Sequence, residues 1–200
     1  MIQPPVIILL AAGSSSRMRG GDKQLELVSG EPLLRRLAKC ALSTEASVCV
    51  ALPASDHPRC GVISDLGVTQ IYVPDADQGM GVSISRSTQA VLNRDPSAIM
   101  FCPTDMPELT KDHFLTLIDA WTKAPEHIAQ AIDSTGQPGH PVIFPKDYFD
   151  ALRRLNGDKG AKSVMAGQEI TSVQFKDNGP SVDLDTPEAW RDWRLGSQVS

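Results

Sequence analysis

The run Val6-Ile7-Ile8-Leu9-Leu10-Ala11-Ala12-Gly13 constrains this chain more than any other feature. Its apolar residues do not alternate with polar ones, so both faces must be covered, which is the condition of an inner strand in a parallel sheet. The run then narrows to Ala-Ala-Gly and opens into Ser14-Ser15-Ser16-Arg17-Met18-Arg19-Gly20-Gly21-Asp22-Lys23. Small residues at a strand end let a ligand approach the backbone, and Gly and Ser offer N–H and hydroxyl donors to phosphate oxygens. Arg17 can grip a phosphate with two donors, and Lys23 adds a movable point charge. Neither G-x-x-x-x-G-K-[ST] nor G-x-G-x-x-G is present, which disfavours an ATPase phosphate loop and a dinucleotide-binding Rossmann protein. Taken alone, the stretch also suits a polar surface loop.

The pattern after it alternates. Leu34, Leu37, Ala38, Ala41 and Leu42 recur at helical spacing, and Val48 to Leu52 and Thr69 to Val73 read as strands flanking a short segment from Arg59 to Leu66. A helix through Ile84, Ser87, Val91 and Leu92 precedes a fourth buried strand, Ala98 to Cys102. Phe114, Leu117, Ile118 and Trp121 mark another helix, with Thr110 as its N-cap. The remainder holds apolar runs at 128–132, 141–144 and 170–175 and helices near 146–155 and 187–195. Such alternation predicts an α/β sandwich with a mostly parallel sheet. With 200 residues and no linker or repeat, one domain is expected, a nucleotide-handling half to about residue 107 and an acceptor-handling half from about 108.

The net charge of -5 argues against a nucleic-acid binder with a general phosphate-seeking surface, so any phosphate must meet a local basic cluster. Cys40, Cys49, Cys60 and Cys102 form no C-x-x-C pair, which makes a reducing cytoplasm the expected setting. The opening residues, Met1 to Pro5, carry no basic export signal, and Val6 to Ala12 is too short to span a bilayer.

Further chemistry lies in Cys102-Pro103-Thr104-Asp105-Met106-Pro107, directly after a buried strand. Ligands of open α/β sheets gather at the carboxyl ends of strands, so Asp105 is expected to face the cleft of the Gly/Ser loop. A carboxylate there suits Mg²⁺, which takes one or two protein carboxylates plus phosphate oxygens; a turn or cap aspartate is the alternative. In Ser181-Val182-Asp183-Leu184-Asp185-Thr186-Pro187-Glu188, strand alternation would set Asp183 and Asp185 on one face, with Thr186 and Pro187 opening a helix. Three glycine-rich turns, 78–83, 136–141 and 156–161, each read as ordinary turns but together fit a cleft with a large ligand.

In order, these motifs resemble the molybdenum-cofactor nucleotidyltransferases, the molybdopterin guanylyl- and cytidylyltransferases, over nearly the whole chain. The resemblance rests on Leu-Ala-Ala-Gly-x-Ser-x-Arg-Met with Lys23, Gly79-Met80-Gly81-x-Ser83, Asp105-Met106-Pro107, Gly139-His140-Pro141, Gly157-Asp158-x-Gly160-Ala161 and Asp183-x-Asp185-Thr186-Pro187-Glu188. One departure is that Arg19 and Gly20 lengthen the usual spacing to the lysine by a residue. The resemblance implies a Rossmann-like three-layer fold of the glycosyltransferase-A type and an Mg²⁺ between nucleotide and acceptor. It implies that Leu10, Ala11, Ala12, Gly13, Gly79, Gly81 and Ser83 line the nucleotide and that Arg17 and Lys23 bind its triphosphate. Asp105 and Asp185 would hold the metal, and Arg17, Lys23 and Asp105 would carry catalysis. His140 and Asp158 would face the acceptor. Leu-Ala-Ala-Gly resembles the cytidylyl members, so CTP is expected over GTP, with a molybdenum-bearing pterin as acceptor and a molybdoenzyme or its chaperone downstream. The alternatives are activation of a sugar- or alcohol-phosphate on the same scaffold, or a nucleotide-binding cofactor chaperone with little turnover.

Overall fold

The computed structural model describes residues 3–197, so Met1 and Ile2 of the stretch read for an export signal lie outside it. Strand β1 (Val6–Leu10) is buried along its whole length. After a short ladder, β2 (Leu27–Val28) with β3 (Glu31–Pro32), come α1 (Leu33–Leu42), β4 (Val48–Leu52), α2 (Pro58–Gly61) and β5 (Thr69–Tyr72). Next follow α3 (Met80–Val91), β6 (Ala98–Pro103), α4 (Lys111–Thr122), β7 (Ile128–Ile132) and β8 (Pro138–Pro145). The chain closes with α5 (Phe149–Arg153), α6 (Lys162–Met165), β9 (Ile170–Gln174) and α7 (Pro187–Ser197).

One seven-stranded sheet runs in the order β5-β4-β1-β6-β8-β7-β9. All neighbours pair in parallel except β8, which is antiparallel to both β6 and β7. The continuous apolar strands are explained by layers on both sides. Ile7, Leu9 and Ala11 join the cluster that packs α1, α4 and Trp190 of α7, whereas Ile8, Leu10 and Ala12 join the one that packs α3 and α5. This is the three-layer α/β sandwich expected from the alternation. Thr110 caps α4 through a reciprocal pair with His113, and the Thr186 hydroxyl accepts from the Ala189 N–H at the start of α7.

Several local readings need correction. The segment 181–186 is not a strand but irregular chain. The predicted helix near 146–155 is a 3₁₀ turn, Lys146–Tyr148, followed by the five-residue α5. Strand β8 starts three residues before Pro141, because its register with β7 continues to Pro138.

Candidate active site

Strands β1 and β6 lie side by side with Leu10 opposite Pro103, so both chains leave the sheet at the same edge. The Thr104 hydroxyl fastens this exit by donating to the Leu10 carbonyl at 3.0 Å. The Leu184 N–H in turn donates to the Asp105 carbonyl at 2.9 Å, which brings Asp183 and Asp185 to the end of β6. Asp133 steadies the same segment, because its carboxylate accepts from the Ser181 hydroxyl at 2.6 Å. Backbone pairing and side-chain clamps thus do what strand alternation was expected to do.

Asp105 and Asp185 meet across Lys23. The Lys23 ammonium donates to Asp105 Oδ2 and to Asp185 Oδ1, each at 2.7 Å, and its side chain is only 14% exposed. Burial pulls the Lys23 pKa down, but the charge of Asp105, the hydrogen bonds to both carboxylates and the charge of Asp185 outweigh it, so the pKa is raised. Arg17 pairs with the other Asp185 oxygen at 2.8 Å and remains 68% exposed. Arg19 faces elsewhere and pairs with Glu188 of α7.

Two more acidic or basic groups sense this centre. Burial, with the charges of Asp105 and Asp185, raises the Asp183 pKa. Burial lowers the His140 pKa and the Asp105 charge offsets part of that, so the ring is neutral near pH 7. His140 Nδ1 and Asp105 Oδ1 are both buried without a hydrogen-bond partner, an expensive state unless a ligand completes it.

The remaining predicted residues divide. At Gly13 an added Cβ would meet nothing within 4 Å, so the backbone there borders open space. Ala12 is nearly covered, its methyl lying in the apolar cluster with Leu10 and Ala76. Gly79 and Gly81 are instead pressed against the loop at 156–159. An added Cβ would come within 2.4 Å of Gly157 backbone at the first and 2.6 Å of the Lys159 carbonyl at the second. The Gly81 N–H donates to the Gly157 carbonyl at 2.9 Å. Asp158 sits in this contact, and Ser83 is buried in the first turns of α3. Among the described residues, no hydrogen bond or ion pair links these two loops to the Asp105–Lys23–Asp185 centre.

Sequence reasoning missed Arg59 and Asp22. Arg59 is buried beneath the Gly/Ser loop and its guanidinium is paired with both oxygens of Asp22 at 2.8 Å. The sequence offered one signal, an acidic residue inside the Gly/Ser loop directly before Lys23.

The MobA-like NTP transferase domain matches residues 7–173. The chain belongs to that family. It is an enzyme of the nucleotidyltransferase type. The chain is 28% identical over 199 residues to the purine catabolism protein PucB of Bacillus subtilis, covering 92% of each. It is 28% identical over 156 residues to the probable molybdenum cofactor guanylyltransferase of Rhodopirellula baltica, covering 76% of this chain and 74% of that one. Its fold superposes on Rv0371c of Mycobacterium tuberculosis H37Rv, solved in complex with manganese, with a TM-score of 0.75 at 21% identity over 95% of this chain and 97% of that one. Among the described residues no helix is long and apolar enough to cross a membrane.

Proposed function

We propose that this enzyme transfers a nucleoside monophosphate from a nucleoside triphosphate to a phosphate-bearing acceptor and releases pyrophosphate. One observation carries the proposal: two carboxylates on separate segments, Asp105 and Asp185, converge on a single buried ammonium beside the Gly/Ser loop. A site that holds a cation between carboxylates next to backbone donors and an exposed arginine suits a triphosphate with its metal.

The residues fit a hard divalent cation. Asp105 Oδ1 is buried without a partner and is the carboxylate oxygen left for a metal, whereas Lys23 and Arg17 hold the two Asp185 oxygens and would have to yield one of them. A site with two carboxylates that relies on phosphate and water for the rest is the usual mode of Mg²⁺. Asp105 and Asp185 would hold it, and it would supply charge neutralisation at the phosphates.

The chain's own groups do the rest. Lys23 and Arg17 neutralise the triphosphate, and the backbone of 11–14 borders the nucleotide. An oxygen of the acceptor phosphate attacks the α-phosphorus in line; the bond from that phosphorus to the α,β-bridging oxygen breaks, and pyrophosphate leaves with the electron pair. No covalent enzyme intermediate is needed, because positioning and charge stabilisation supply the rate. His140 and Asp158 are assigned to the acceptor side, with the nucleotide side reaching to about residue 107.

The acceptor is proposed to be the molybdenum-bearing pterin, in keeping with the named activity of the R. baltica relative. For the base, Leu-Ala-Ala-Gly favours CTP. The guanylyl name of that relative favours GTP, as does the covered methyl of Ala12, which offers little to crowd a purine. The test is pyrophosphate release by purified enzyme with CTP or GTP, a divalent cation and a panel of acceptors: the pterin, sugar phosphates and alcohol phosphates. Release that depends on the pterin supports the acceptor assignment, release with a sugar phosphate alone overturns it, and the CTP/GTP ratio decides the base.

A further inference from the structure

We infer that Arg59 is the positioning residue of the phosphate loop: it fixes the backbone between Ala11 and Asp22 so that Arg17 and Lys23 are presented together. This rests on the nucleotidyl-transfer reading for its catalytic consequence, but not for its geometry.

A guanidinium has five N–H donors, and Arg59 spends all five on this one loop. Its Nη1 donates to the carbonyls of Ala11 and Gly13 at 2.6 and 2.7 Å, and its Nη2 to the Ser15 hydroxyl at 3.0 Å and Asp22 Oδ1 at 2.8 Å. Its Nε takes Asp22 Oδ2 at 2.8 Å. Arg59 therefore ties the first residues of the loop to its last, while sitting 1% exposed beneath it.

Three consequences follow from the local geometry. In a trans peptide the carbonyl and the next N–H point in opposite directions. Drawing the Ala11 and Gly13 carbonyls toward Arg59 therefore turns the Ala12 and Ser14 N–H groups away from it, on the part of the loop where Gly13 borders open space. Ser15 holds a left-handed backbone at φ 52, uncommon for a non-glycine residue, and its side chain is held by both Arg59 and Asp22. Finally, Lys23 directly follows the tethered Asp22, and Arg17 lies two residues beyond the tethered Ser15. Asp22 balances the charge of Arg59, so what the pair gives the loop is shape.

The inference is tested with Arg59→Lys and Asp22→Asn. Lysine keeps the charge but has only three donors, too few for the five contacts. Amide hydrogen exchange is measured on the whole folded protein, alongside kcat and KM for the nucleoside triphosphate. For Arg59→Lys, exchange at 12–23 should rise at least about tenfold while β1, β4 and β6 stay protected. Misplacement of about 1 Å costs on the order of 10²-fold, so kcat/KM should fall by roughly that much, with more of the loss in kcat than in KM. Asp22→Asn should show the same pattern more weakly, and it decides the matter if Arg59→Lys does not fold. Exchange that stays at the wild-type level in 12–23, or that rises equally in the strands, overturns the inference, as does a kcat within threefold of wild type when wild type turns over. If the wild-type enzyme transfers no nucleotide, the functional reading fails while the exchange comparison still decides the role of Arg59.

Discussion

Two glycine-bearing loops that looked alike in sequence are used in opposite ways. At Gly13 the missing side chain leaves open space, whereas at Gly79 and Gly81 it makes room for another piece of the same chain, residues 156–159. The first is the use expected of a loop that admits a ligand; the second is a packing device, with φ +122 at Gly79 adding a backbone conformation that only glycine adopts cheaply. A glycine in a motif says that a Cβ would be in the way, but not of what.

The largest effect belongs to the centre beside the open loop. Asp105→Ala should lower turnover by at least roughly 10²–10³-fold, the scale for removing one preorganised electrostatic contact, while circular dichroism remains native. Retained turnover would move the reacting centre away from the end of β6. Next is Arg17→Ala, expected to lose about 10²–10³-fold, against less than about threefold for Arg19→Ala, because Arg17 pairs with Asp185 of the centre whereas Arg19 pairs with Glu188 of α7. Equal losses would show that the loop turns its other face to the phosphates.

The glycine pair sharpens the contrast directly. Gly79→Ala should destabilise the fold by roughly 2–5 kcal/mol, from backbone strain together with overpacking, and lower the melting temperature. Gly13→Ala should leave stability unchanged or raise it by up to about 1 kcal/mol, yet reduce kcat/KM for the nucleotide. A destabilised Gly13→Ala, or a neutral Gly79→Ala, would erase the distinction. The smallest effect is expected at Ala12. One methyl commonly shifts discrimination by about 1–3 kcal/mol, roughly 10–200-fold, and its burial here places Ala12→Gly at or below the low end in the CTP/GTP ratio of kcat/KM.

What could be read from sequence follows the same division. Strands β1, β4 and β6 announce themselves because burial on both faces demands continuous apolar residues, and the strand ends then locate Gly13 and Asp105. Thr110 and Thr186 are legible as caps because capping is local. Asp183 and Asp185 reach the end of β6 through the Leu184 N–H and the Asp133–Ser181 clamp, not along the strand that alternation predicts, so their placement was only partly legible. Arg59 lies 37 positions from Asp22 and belongs to no periodic pattern, so its partnership exists only once β1 and β4 have paired. The contact between Gly79 and Gly157 is likewise a product of the folded chain.

The central claim, nucleotidyl transfer at the Lys23–Asp105–Asp185 centre, is tested most directly by following label. Nucleoside triphosphate labelled at the α-phosphorus is incubated with enzyme, a divalent cation and the phosphate-bearing acceptor, in parallel with γ-labelled triphosphate. The account predicts that α-label passes to the acceptor in step with γ-label appearing in pyrophosphate, and that Asp105→Ala abolishes both. Release of γ-label as inorganic phosphate, with no α-label on the acceptor, would contradict it.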